Sequence, residues 1–192
     1  MKIYELSGTA RNDFGKKAAK NFRRQGLVPC NLYGLGINKT FAVKEADVQK
    51  LIITPVVYAV KLDIDGAQHM AVIKELQFHP VKDNVLHIDF LAVDEKKPVE
   101  VAIPIRLEGH AEGVKAGGKL ALLMRKLNVK GIYTDIPEEM IIDINNLGLG
   151  KKMLVADLHF DKLEITNVKS AVVVQVKATR ASAQAAAEGG EQ

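Results

Sequence analysis

His87 and Asp89 stand two residues apart in the segment NVLHIDF (residues 84–90). In a strand this spacing puts both on one face, opposite Leu86, Ile88 and Phe90. An imidazole and a carboxylate so placed can form a catalytic dyad, half a metal site, a polar contact surface or solvated decoration. The first two need a third group, which the sequence does not display. The five histidines (His69, His79, His87, His110, His159) include no pair at metal-ligand helical spacing and have no cysteine nearby.

Other short motifs lead nowhere chemical. GVKAGGKL (113–120) has the Gly-x4-Gly-Lys spine of a phosphate loop, but Leu120 stands where magnesium binding wants a hydroxyl. No convincing helix follows to aim its N-terminus at phosphates, so a glycine-rich turn is expected. Cys30 follows Pro29 in an apolar run and reads as a small hydrophobe, and no Gly-x-Ser-x-Gly elbow exists. YGLG (33–36) and LGLGKK (147–152) are too short to signal dinucleotide binding.

Cations carry more information. GKKAAKNFRRQG reads as a helix closed by Gly26, with Ala18, Ala19 and Phe22 as its apolar face and Lys16, Lys17, Lys20, Arg23 and Arg24 around the rest. The bland reading is a solvated surface helix. Its context argues otherwise: Arg11 precedes it in a loop, and the following strand ends in Tyr33-Gly34. Residues 1–40 hold eight Lys or Arg against Glu5 and Asp13, a net +6, leaving −2 for the rest of a chain whose total is +4. Such concentration suggests an anionic partner for this segment. A cationic helix grips phosphates without reading sequence. A neighbouring strand face with an aromatic ring, an imidazole and a carboxylate adds stacking and base-edge or 2′-hydroxyl hydrogen bonds, which suits RNA.

The elements that must position these groups are short and β-rich. Residues 1–9 read as a strand with Ile3 and Leu6 inward, followed by the basic helix and LVPCNLYG, a short strand whose Pro29 argues for an edge or a strand start. FAVKE gives a strand and EADVQKLI a second short helix. VVYAVKLDIDG alternates Tyr58, Val60, Leu62 and Ile64 against Lys61, Asp63 and Asp65, and Asp65-Gly66 signals a hairpin into HMAVIKELQF. A polar junction, DEKKP (94–98), precedes further short runs: VEVAIPIRLEG, LALLMRKLNVKG, EMIIDINNL, MLVADL and SAVVVQVKA. LALLMRKLNV fits a helix as well as strands.

The resulting expectation is a mainly β, α+β chain. Residues 1–95 form a mostly antiparallel sheet with one or two helices, residues 96–178 a second, antiparallel β domain, and residues 179–192 a disordered tail. Composition agrees: 192 residues, 47% apolar and 26% charged, support a globular core. No apolar run approaches the ~20 residues of a membrane span. The N-terminus is too polar for a secretory signal, and the single cysteine rules out an internal disulfide, as fits a reducing cytoplasm.

RNDFGKKAAKNFRRQGLVPCNLYG followed by ELQFHPVKDNVLHIDF resembles the bacterial large-subunit ribosomal protein family that binds 5S rRNA, number twenty-five of its series. IPIRLEGHAEGVKAGGKL and DIPEEMIIDINNLGLGKKMLVADL resemble the second domain of its longer members, also called general stress protein CTC. The likeness runs in order from about residue 3 to 178. It implies an N-terminal β-barrel-like domain seated on 5S rRNA and a C-terminal β domain. Carried over from the family's contacts are Arg11, Arg23, Arg24, Tyr33, His87 and Asp89, with Lys16 and Gln77 matching more loosely. One departure is Cys30-Asn31, where many members have small or aliphatic residues.

With Lys20 added on charge, this gives a non-catalytic structural protein of the large ribosomal subunit supporting translation, in the cytoplasm. Its partners are 5S rRNA and other subunit components. No cofactor, metal, membrane or small-molecule substrate is expected. The alternative is a stress-induced RNA- or protein-binding factor acting partly off the ribosome.

Overall fold

In the computed structural model, which describes residues 1–160 and 162–179, β1 (Lys2–Ala10) buries Leu6 and leaves Ile3 64% exposed. The sequence reading turned both inward. Residues three apart cannot share a strand face, and Tyr4 and Leu6 set the inward parity. Gly8 continues that row because a Cβ there would lie 2.5 Å from the Phe41 ring, which fills the space instead.

After β1 come α1 (Lys16–Arg24), β2 (Leu27–Gly34), β3 (Ile37–Lys44), α2 (Glu45–Ile53), β4 (Tyr58–Ile64), β5 (Ala67–Phe78) and β6 (Val85–Ala92). The strands close a barrel in the order β1-β3-β2-β6-β5-β4. Four pairings are antiparallel. The two that close it, β1 with β4 and β2 with β6, are parallel. The Asp65-Gly66 turn links β4 to β5 with positive φ at both residues (51° and 87°), the two-residue hairpin geometry that glycine favours.

Pro29 does not mark an edge, because β2 lies between β3 and β6. It faces Ala42 of β3, and pairing with β6 begins one residue later at Cys30, so the missing N–H falls before the second ladder starts. Leu32, Phe41, Leu62, Ile88 and Phe90 fill the interior, joined by Val48 and Leu51 from α2. Cys30 is also fully buried there, as its small hydrophobic character suggested.

The described residues divide into two compact units: Met1–Val101 with Gly131–Glu138, and Ala102–Lys130 with the chain from Glu139 onward. Within the first, the Met1 amine donates to the carbonyl of Ile136 at 2.9 Å and Lys2 pairs with Glu138 at 3.0 Å. The remaining elements are β7 (Val99–Glu108), α3 (Glu112–Lys115), β8 (Lys119–Leu122), β9 (Lys126–Gly131), β10 (Met140–Asp143), β11 (Lys152–Leu154), β12 (Glu164–Ile165) and β13 (Val172–Lys177). They make a four-stranded sheet, β10-β7-β9-β12, and a three-stranded one, β11-β13-β8. β11 with β13, β13 with β8 and β12 with β9 pair antiparallel, while β10 runs parallel to β7.

The ambiguous LALLMRKLNV is two strands, β8 and β9, and alternate burial of Leu127 and Val129 explains the second. The phosphate-loop look-alike is the end of the one-turn helix α3 followed by a turn at Ala116 and Gly117, the glycine-rich turn expected there. A strand, not a helix, follows its lysine, and a Cβ on Gly113 would lie 2.5 Å from the backbone nitrogen of Leu149. The tail expected over residues 179–192 lies outside the described residues beyond Thr179, whose hydroxyl donates to the Gly117 carbonyl at 2.8 Å.

Candidate nucleic-acid interface

The site begins with the register around β6. Ile88 and Phe90 point into the barrel, so His87 and Asp89 point out. Parallel pairing sets Asn31 of β2 beside Asp89 and carries Tyr33 onto the same outer face. On the other flank, antiparallel pairing sets Glu75 beside Asp89 and Gln77 beside His87. That second match depends on an irregularity. Ile73 pairs with inward Phe90, and one extra residue, Lys74, then re-aims β5 so that Glu75 and Gln77 face outward.

The cations reach this face from two directions. Arg23 donates from Nη1 to the carbonyl of Leu86 at 3.1 Å, which ties α1 to β6 next to His87. Arg11 donates from Nη2 to Asn31 Oδ1 at 3.4 Å and lies 5.8 Å from the centroid of the exposed Phe14 ring, within cation–π range. Its backbone is pinned by Thr40, whose carbonyl accepts the Arg11 N–H at 3.0 Å. Arg11 Nε is buried with no hydrogen-bond acceptor in the structure. Arg11, Arg23, His87 and Asp89 thus form one cluster, with Tyr33 and Gln77 on the flanking strands. Lys16, Lys20 and Arg24 are exposed on α1, which packs beside β2.

Helix α1 is electrostatically unusual. Its first turn carries Lys16 and Lys17, no acidic residue and no side-chain cap, so two cations sit at the positive end of the helix dipole. Intrinsic stability favours the opposite arrangement. An anion docking there would relieve it.

His87 Nδ1 lies 3.5 Å from Asp89 Oδ1. Burial pushes the His87 pKa below the ordinary histidine value, aided by Arg11 and Arg23 and opposed by Asp89 and Glu75. The ring is therefore neutral near pH 7, able to donate through one nitrogen and accept through the other. Burial raises the Tyr33 pKa, with Asp89 and Glu75 adding to it, so the phenol keeps its proton as a donor.

Because His87 loses proton affinity on folding, its contribution to stability is complete above the unfolded value of about 6.5 and is lost as pH falls through the depressed folded value. His69, lowered by burial and by Lys39, acts with the same sign. The urea midpoint is therefore expected to fall between pH 7.5 and pH 5.5, and His87→Gln should shrink that fall without abolishing it. An undiminished fall in the variant would show that His87 is not protonated against the fold.

Asn31, Glu75 and Phe14 were missed by sequence reasoning. Asn31 was within reach, since it precedes Tyr33 by two and must share its face. Glu75 was not, because its direction depends on the extra residue in β5. No group of three or more His, Cys, Asp or Glu among the described residues could hold a metal ion. No helix among them is long and apolar enough to cross a membrane.

Comparison with known proteins matches residues 6–90 to the Ribosomal L25p family and residues 98–180 to the family described as ribosomal protein TL5, C-terminal domain. The chain is 49% identical to large ribosomal subunit protein bL25 of Bacteroides thetaiotaomicron, covering 100% of both. It is 50% identical to the protein of that name from Porphyromonas gingivalis, over 97% of this chain and 98% of that one. The Phocaeicola vulgatus protein is 48% identical over 100% of both. With both halves matched in order and identity near one half along its whole length, the chain belongs to the ribosomal L25p family, in the two-domain form that carries a TL5-type C-terminal domain.

Proposed function

We propose that the protein is a non-catalytic constituent of the large ribosomal subunit that docks its barrel on 5S rRNA, with residues 1–95 as the RNA-binding domain and 96–178 as the C-terminal β domain, of which 96–101 and 131–138 pack with the barrel. The observation that carries this is the Arg23 bond to the Leu86 carbonyl, which joins the cationic helix and the His87–Asp89 row into one surface. Lys16, Lys20 and Arg24 neutralise phosphates. Arg11 and Arg23 spend one donor each inside the protein and keep others for RNA, since a guanidinium has five. Tyr33, Gln77, His87 and Asp89 select the RNA shape through stacking and hydrogen bonds to base edges or 2′-hydroxyls.

Asp89 separates selective from merely electrostatic binding. A carboxylate repels phosphate but accepts from base amino groups and 2′-hydroxyls, so it discriminates among RNAs. Asp89→Ala is expected to weaken 5S rRNA binding about tenfold, corresponding to one good polar contact. A random RNA duplex should lose little or gain slightly. Equal losses on both RNAs, in a variant whose urea midpoint is unchanged, would remove Asp89 from the recognition surface.

A further inference from the structure

The outward face of the three-stranded sheet in the second unit is unusually cationic. The register sets Lys119 of β8 directly opposite Lys177 of β13, and Lys152 of β11 opposite Gln175. Their neighbours Leu120 and Val176, and Leu122 and Val174, form pairs of the opposite parity, and Val174 and Val176 are buried. The three lysines therefore share the solvent side, and all are exposed.

Directly opposed side chains have Cβ atoms roughly 4.5–5.5 Å apart, and diagonal neighbours such as Lys152 and Lys177 roughly 7–8 Å. Like charges at those separations destabilise a sheet. Nothing on the strands offsets them: KLAL, KML and VVVQVK contain no acidic residue. None of the three lysines makes an ion pair among the described residues. The chain thus concentrates charge at a cost to its own stability, around the half-buried Gln175 and beyond the buried Val173 on the same row of β13.

We propose that this face is a second RNA-docking surface, at which Lys119, Lys152 and Lys177 contact successive phosphates and Gln175 hydrogen-bonds the sugar edge. The partner is ribosomal RNA backbone, a choice that rests on the ribosomal reading above; an acidic protein surface is the competing occupant. Charge complementarity supports RNA, whose wide, shallow minor groove with its 2′-hydroxyls is read by flat polar faces.

Two measurements on the full chain test it. In the first, Lys119, Lys152 and Lys177 are changed together to Gln and binding to a labelled RNA duplex without 5S sequence is titrated against salt. The affinity is expected to fall about tenfold or more near 0.15 M salt, with the log–log slope shrinking by roughly 2 to 3. The melting temperature should not drop, because a like-charged pair has been relieved. Unchanged affinity and slope would overturn the proposal.

In the second, Ala121→Cys carries a thiol-attached photo-crosslinker at the centre of the face; Cys30, being buried, does not compete. After incorporation into large subunits, an adduct on ribosomal RNA is expected. Adducts on protein alone would assign the face to an acidic protein and overturn the RNA docking. Failure of the wild-type chain to sediment with large subunits would instead count against the ribosomal reading, and the duplex titration would still decide this one.

Discussion

Replacing Lys16, Lys20 and Arg24 together by Glu is expected to weaken 5S rRNA binding about a hundredfold or more near physiological salt. Each phosphate contact contributes roughly 0.7 to the log–log salt slope on the single-strand coefficient, so three carry about 2. Between a 1 M reference and 0.15 M salt, that alone is a factor of about fifty. Reversing the charges adds repulsion to the loss. The wild-type slope should be roughly −3 to −4 if Arg11 and Arg23 also reach phosphates, and about −2 if their internal bonds to Asn31 and Leu86 consume them. The salt titration thus measures how many cations remain available for RNA.

Folding offers no escape from this prediction. All three residues are exposed on α1, and glutamate has a helix propensity close to that of lysine and arginine. Glutamate at position 16 would sit at the positive end of the dipole, where lysine is misplaced, offsetting the poorer position of a carboxylate at 24 near the helix end. The variant should melt within a few degrees of the wild type. A loss of less than threefold with an unchanged salt slope would mean that α1 does not face the RNA.

How much of this was legible beforehand follows from the range of the interactions. The β4–β5 hairpin was readable because alternation and the Asp65-Gly66 pair are local signals. Helix α1 was readable from its spacing and from Gly26. The closure of the barrel was implied by the family resemblance but not by local pattern, because β1 with β4 and β2 with β6 pair in parallel across long stretches of sequence, and no turn announces them. Ile3 departs from the expectation because strand parity, set by Tyr4 and Leu6, overrides its hydrophobicity. For the site, His87 and Asp89 were visible as a pair on one face, but what surrounds them was not. The Arg23–Leu86 bond spans 63 positions, and Glu75 faces outward only because β5 takes in an extra residue. Local pattern identifies the groups, while tertiary pairing decides which of them meet.

The strand carrying the site also carries the core, so the second large effect is expected at a residue that can touch no RNA. Phe90 is fully buried, with its ring centroid 5.7 Å from that of Phe41, and adjoins Asp89 in the chain. Phe90→Ala removes an aromatic side chain and leaves a cavity, at a cost of about 3–5 kcal/mol. Against the 5–15 kcal/mol typical of a domain, this is enough to leave the barrel marginal. All four tyrosines (Tyr4, Tyr33, Tyr58 and Tyr133) lie in the first unit and the chain has no tryptophan, so intrinsic fluorescence during urea unfolding reports that unit alone. Its midpoint should fall sharply in Phe90→Ala and much less in Phe90→Leu, which keeps most of the volume. RNA affinity should fall in proportion to the unfolded fraction and recover on cooling toward the temperature of maximum stability. If Phe90→Ala remained fully folded yet lost 5S rRNA binding, the damage would lie in the aim of β6, making the core a determinant of recognition geometry as well as of stability.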